Sequence, residues 1–283
     1  MNYTTKGKLI FRYPGGKSKI SVRKKILTYF PDAYEEYREI MVGGGGIFFT
    51  IPNNINRWIN DIDLNLMLVY QTMQNDANNF INLCRQISAP QKDEPLTSSK
   101  PNGKPIYNAR LKKIFDNLAY NTECNQALRY LFIHRTVWGG RVNYEIPSRM
   151  YYSNPNGWNI IHTKQMEVMA NKLQDVNITH GDYKTLLEKS GSNVLIYIDP
   201  PYYKNTQLNN NSRLYRYNFE EIDHIRLYES ITKCNHKIVL SYDNHPYICN
   251  LYKNFNIYKE EWKYCGTSNK QKRVGQELII TNF

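Results

Sequence analysis

NVLIYIDPPYY, residues 193–203, is the most apolar stretch of the chain, and its reading decides the fold. The run VLIYI shows no polar–apolar alternation and is too short for a core helix. Such an unbroken β-branched and aromatic run suits a strand buried on both faces of a parallel sheet. Asp199-Pro200-Pro201-Tyr202 ends the run, because consecutive prolines cannot donate to a ladder. The motif therefore caps the carboxyl end of a central strand, the edge where open α/β sheets bind ligands.

Further β-rich runs flank this one on either side. They are YREIMV (37–42), NRWIND (56–61), VNITHGD (176–182), HKIVLSYDN (236–244), NIYKEEW (256–262) and ELIITNF (277–283). Between them, DLNLMLVYQTM and EEIDHIRLYESITKC carry helical patterns that could cover a sheet. This alternation predicts an open, doubly wound α/β domain. One section breaks it. SAPQKDEPLTSSKPNGKP (88–105) has the composition of an exposed loop, and helical patterns with turn-rich segments follow it. The expectation is a catalytic domain from 1–83 and 166–283, interrupted by a largely helical insertion at 84–165.

Composition narrows the partners. The 283 residues are 41% hydrophobic, enough for a core, and 24 tyrosines add rings with a polar tip. A formal charge of +12 favours a polyanion, most simply nucleic acid. The five cysteines, Cys84, Cys124, Cys234, Cys249 and Cys265, form no C-x-x-C pair, which points to a reducing compartment and away from a disulfide framework or zinc site. No charged-then-apolar leader and no apolar run near about 18 residues is present, so a cytoplasmic protein with no membrane partner is expected.

Three clusters could carry chemistry. GGKS (15–18) suggests a phosphate loop, but Phe11 stands where that loop needs glycine and Pro14 removes an amide it would use. VGGGG (42–46) follows a strand and lets backbone approach a ligand closely. Asp61 ends the next strand, and an acid about 20 residues beyond a glycine-rich turn suits a ribose hydroxyl pair. Phe48 stands where a strict dinucleotide fingerprint needs glycine, so the expected ligand is a nucleoside-type cofactor rather than a standard dinucleotide. DPPY is the most specific. An exocyclic amine on a base is a poor nucleophile because its lone pair is delocalised. A carboxylate and a rigid backbone carbonyl can each accept one N–H and turn that lone pair outward, while an aromatic ring stacks on the base.

With these motifs in order, the chain resembles the Dam-type family (D12 class, alpha group) of adenine-specific DNA methyltransferases. Y-P-G-G-K (13–17) resembles the amino-terminal element of that family, REIMVGGGGIFF (38–49) its cofactor loop and NDID (60–63) its ribose-binding acid. GDY (181–183) resembles the segment beside the cofactor adenine, and DPPY (199–202) the catalytic motif. SYDN (241–244) and the closing ELIITN resemble later segments. Ile40 and Met41 depart from the usual Pro-Phe of the cofactor loop, whereas Glu39 and the glycines are kept.

The resemblance implies a class I methyltransferase fold, Rossmann-like, with a mostly parallel seven-stranded sheet. It also implies S-adenosylmethionine as methyl donor and S-adenosylhomocysteine as product, and the six scattered histidines form no metal cluster, so catalysis without a metal is expected. Asp199 would accept from the N6 amine of an adenine flipped out of duplex DNA, with Pro200 and Pro201 fixing the turn and Tyr202 stacking on the base. Tyr13, Lys17, Glu39, Gly43, Gly45, Asp61, Asp182, Tyr183 and Asp199 would form the cofactor site, with Asp63 competing for the ribose. The insertion would read DNA through Arg135, Trp138, Arg141, Asn143, Tyr144 and Arg149. A monomer of bacterial or phage origin, with a cognate restriction endonuclease as partner, completes the expectation. No cysteine follows a proline, which disfavours cytosine carbon methylation. Methylation of the cytosine N4 amine and a DNA-binding relative with a decayed cofactor site stand as the alternatives.

Overall fold

VLIYI forms a central strand of a seven-stranded sheet in a computed structural model that describes residues 3, 9–11, 13, 17–87, 109–137, 142, 158, 163–206, 217–263 and 274–283. The strands are β1 (Glu36–Glu39), β2 (Asn56–Asp61), β3 (Val176–His180), β4 (Val194–Ile198), β5 (Lys237–Asp243), β6 (Asn256–Lys263) and β7 (Val274–Thr281). Their order is β3-β2-β1-β4-β5-β7-β6. Strands β1 to β5 pair in parallel, and β7 runs antiparallel to both β5 and β6. This is the mostly parallel, doubly wound sheet expected from the sequence. The order reverses between β1 and β4, so their carboxyl ends flank the crevice where such sheets bind ligands.

The described helices are α1 (Ile20–Leu27), α2 (Leu64–Asn75), α3 (Ala77–Gln86), α4 (Ala109–Asn117), α5 (Glu123–Thr136), α6 (Thr163–Leu173), α7 (Lys184–Leu187), α8 (Tyr203–Thr206), α9 (Glu221–Thr232) and α10 (Pro246–Leu251). The chain divides into two compact units. One holds Lys17–Ile62 and Asp175–Phe283 with Met1–Lys6, and the other holds Asp63–Gln174 with Gly7–Gly16.

The first unit contains the sheet. All of VLIYI is buried, as a strand flanked by β1 and β5 must be. Ile196, Ile198, Ile238, Leu240, Leu278 and Ile280 pack with Leu227 and Ile231 of α9. Each such side chain contributes about 1.5–3 kcal/mol on leaving water. Arg38 interrupts this apolar layer from β1. Its guanidinium donates to the carbonyls of Leu186 (2.7 Å), Lys189 (2.5 Å) and Ser190 (2.8 Å) and pairs with Glu36. A buried cation persists only when paired in this way.

The second unit is helical. Asp63 caps α2 by accepting from the amides of Asn65 (3.0 Å) and Leu66 (3.4 Å), and Tyr130 of α5 donates to its other oxygen at 3.0 Å. α2 buries Leu66, Met67, Val69, Tyr70 and Met73 and packs against α5 and α6. An apolar surface nearly all round a helix requires such neighbours. This unit is wider than the 84–165 segment marked by composition, because α2, α3 and most of α6 group with it.

Candidate active site

β4 delivers Asp199 directly beyond Ile198, at the switch point of the sheet. Neighbouring β5 supplies two partners from alternate positions, which share one side of a strand. Ser241 donates to Asp199 Oδ1 at 2.7 Å. Asp243 accepts the backbone amides of Tyr203 (2.9 Å) and Lys204 (3.2 Å), the first residues of α8. The DPPY turn is thus held from both ends by β5.

Lys17 enters the same centre. Its Nζ donates to Asp199 Oδ1 at 2.8 Å and to the Tyr202 hydroxyl at 2.5 Å, and lies 3.3 Å from Glu277 Oε2. It also lies 4.9 Å from the centroid of the Tyr202 ring. The Tyr202 hydroxyl donates to Glu277 Oε2. Burial alone would lower the Lys17 pKa, but Asp199 and Glu277 outweigh it and hold it above its ordinary value. Burial is also the main cause raising Asp199, and Glu277 adds to it against the opposing pull of Lys17 and Ser241. Asp199 is therefore a stronger base than an exposed aspartate. Its Oδ1 carries both bonds, Oδ2 accepts none among the described residues, and the side chain keeps 24% exposure.

The glycine loop leaves the end of β1. Gly43 and Gly45 adopt φ of +48° and +70°, a region glycine enters freely. Asp61 Oδ2 accepts the Gly43 amide at 2.9 Å, so the acid at the end of β2 also shapes the loop. At Gly46 a Cβ would stand 2.9 Å from the carbonyl carbon and oxygen of Lys17, so only glycine admits that backbone. Glu39 is buried beneath the loop, and Tyr37 donates to its Oε2 at 2.6 Å. Burial pushes the Glu39 pKa up to about 8, with Asp199 and Asp61 adding to the rise and Tyr37 and the Phe48 amide opposing it. Asn60 joins the strand ends by donating to Ile40 O (3.3 Å) and Gly181 O (2.8 Å). Just beyond, Asp182 accepts the Lys184 amide at 2.8 Å and pairs with Arg226 at 2.6 Å, while Tyr183 is buried.

A DPPY carboxylate thus stands at the carboxyl end of the central strand β4, beside the glycine loop that leaves β1. Residues 13–265 match the D12 class of N6 adenine-specific DNA methyltransferases. The chain belongs to that family. It is an adenine-specific, S-adenosylmethionine-dependent DNA methyltransferase. Its sequence is 27% identical over 296 residues to the type II methyltransferase M.MjaIII of Methanocaldococcus jannaschii, covering 98% of this chain and 99% of that protein. A second relative, the type II methyltransferase M1.LlaDCHI of Lactococcus lactis subsp. cremoris, is 24% identical over 298 residues, covering 100% and 99%. The DNA N-6-adenine-methyltransferase of Escherichia phage P1 is 25% identical over 253 residues, which are 86% of this chain and 31% of that longer protein.

The sheet unit of this methyltransferase brings together Lys17, Glu39, Gly43, Gly45, Asp61, Asp182, Tyr183, Asp199, Pro200, Pro201 and Tyr202. The two acids of NDID have separate employment: Asp61 holds the glycine loop, and Asp63 caps α2 in the helical unit. Tyr13 also belongs to the helical unit, stacked on His134 with centroids 5.9 Å apart. Arg135 is buried there, and its guanidinium donates to the carbonyl of Ile10 at 3.2 Å. Trp138, Arg141, Asn143, Tyr144 and Arg149 lie outside the described residues. Sequence reading gave no role to Gly46, Ser241, Asp243 or Glu277. The one available signal was a carboxylate opening the otherwise apolar run ELII. Among the described residues no His, Cys, Asp and Glu side chains are grouped to hold a metal, and no helix is long and apolar enough to cross a membrane.

Proposed function

We propose that this methyltransferase modifies the N6 amine of an adenine flipped out of duplex DNA, with Asp199 Oδ2 as the acceptor for one amine N–H. The observation that supports this is the asymmetry of the carboxylate. Oδ1 is saturated by Lys17 and Ser241, whereas Oδ2 takes no bond among the described residues on a partly exposed side chain. A backbone carbonyl of the Pro200-Pro201 turn takes the second N–H, and the Tyr202 ring stacks on the base. Two acceptors on one amine draw its lone pair out of the ring and towards the methyl group. The raised basicity of Asp199 also suits it to receive the proton that the amine sheds once methylated.

Donor chemistry fits the cofactor. Asp199 and Glu277 pair with Lys17, while Glu39 and Asp61 add two more buried carboxylates among the described residues, and carboxylates favour a ligand with positive charge. S-adenosylmethionine supplies its methyl group on a positively charged sulfur. Asp61 would hold the ribose, Asp182 and Tyr183 the adenine, and Glu39 with the glycines the amino-acid end. Tyr13 would close over it from the amino-terminal element. Trp138, Arg141, Asn143, Tyr144 and Arg149 are proposed to contact DNA, whereas Arg135 is buried and holds the Ile10 carbonyl instead. Two relatives bear type II methyltransferase names, and a cognate endonuclease is the partner this suggests.

Purified protein incubated with duplex DNA and S-adenosylmethionine should yield N6-methyladenine on mass spectrometry of the digested DNA. Asp199→Ala should abolish that product while duplex binding persists. N4-methylcytosine as the product, or unchanged turnover by the variant, refutes the assignment.

A further inference from the structure

Glu277 is 1% exposed on β7, a strand paired on both sides and followed by the buried Leu278, Ile279 and Ile280. A carboxylate at such a position gives up its hydration, and apolar packing would be the default there. Its register partner on β5 is Asp243, which holds the chain just after DPPY. Its Oε2 meets both Lys17 and the Tyr202 hydroxyl. Sequence places where local rules are broken are commonly functional. At 1% exposure the group is closed off from solvent, and it reaches the site through contacts that include Lys17 and Tyr202.

We infer that Glu277 is a positioning residue for methyl transfer, anchoring Lys17 and Tyr202 so that the ammonium engages Asp199 Oδ1 and Oδ2 stays open to the target amine. The inference rests on the proposed role of Asp199 as amine acceptor. Without Glu277, Lys17 has a single carboxylate partner and is free to straddle both oxygens of Asp199. Tyr202 loses its hydroxyl bond to Glu277. Misplacement of an aligned group by about 1 Å can cost on the order of 100-fold in rate.

Glu277→Gln keeps the shape and still accepts from Tyr202, but removes the charge that holds Lys17. Tyr202→Phe keeps the ring and removes the hydroxyl. The readouts are the single-turnover methylation rate and, separately, calorimetric affinities for S-adenosylmethionine and duplex DNA. Both variants should lose rate by about 10- to 100-fold while both affinities stay within about 2-fold. The double variant should lose no more than the worse single one, because the two act on one cluster. A normal rate in either variant, additive losses in the double variant, or rate and affinity falling together would overturn the inference. Should Glu277→Gln fail to fold, Tyr202→Phe alone decides, since a normal rate in it is sufficient refutation. Parent protein that leaves adenine unmodified refutes the functional reading first and the inference with it.

Discussion

Lys17→Met keeps a long unbranched side chain and deletes the cation that pairs with Asp199 and Glu277. Nζ stands 2.8 Å from Asp199 and 3.3 Å from Glu277. At an effective dielectric of about 20, each attraction is on the order of 5–6 kcal/mol. Most of that gain offsets the hydration lost by buried Lys17 and Glu277 and partly buried Asp199, so the pairing adds little net stability while intact. Removing one partner is another matter, because it leaves two carboxylates facing each other, and the cost is about 3–5 kcal/mol. For a chain of this size that is a fall in melting temperature of about 6–20 °C. The sign of the pH dependence follows. With Lys17 gone, burial and Glu277 push the Asp199 carboxyl further above its ordinary range. A carboxyl raised in the folded state contributes full stability below its unfolded pKa and loses it as pH climbs through the folded one. The deficit of the variant against the parent should therefore be larger at about pH 7 than at about pH 4, the ordinary aspartate range. Thermal melting of the full chain at both pH values measures it. A deficit below about 2 °C, or one equal at both pH values, refutes the buried-pair reasoning.

Two further predictions concern the cofactor loop. Glu39 has a folded pKa raised to about 8, so its contribution is intact at acid pH and fades as pH rises from the ordinary glutamate range through about 8. Glu39→Gln should flatten the decline in melting temperature across that window, and parallel slopes in parent and variant would count against it. Gly46→Ala places a Cβ 2.9 Å from the Lys17 backbone, which must then shift. The expected loss is about 1–3 kcal/mol of stability with weaker calorimetric binding of S-adenosylmethionine, and unchanged binding and melting would show that the contact is slack.

Much of the fold was legible because burial on both faces leaves a strong local mark. VLIYI needs no distant information to read as a central strand, and its DPPY ending places a site at the sheet edge. The glycine loop and Asp61 were legible for a similar reason, since positive φ and an acid at a strand end are local properties. Arg38 was not. A charged residue in a short strand reads as an edge position, and only the carbonyls of Leu186, Lys189 and Ser190 explain its burial. α2 was read as a helix correctly, but pattern alone does not say which neighbours an apolar helix chooses, and it groups with α5 and α6.

The sequence by itself determined the strand-ending carboxylate, the glycine loop, the methyltransferase class and the rejection of a phosphate loop at GGKS. Tertiary structure alone decided what Lys17 does. It pairs with Asp199 and Glu277, which stand 182 and roughly 260 residues further along the chain. Local propensity carries no trace of such a pairing, because neither end needs the other to form its own strand or helix. Closure of the sheet brings the three together, and the cost of burying their charges makes the arrangement specific.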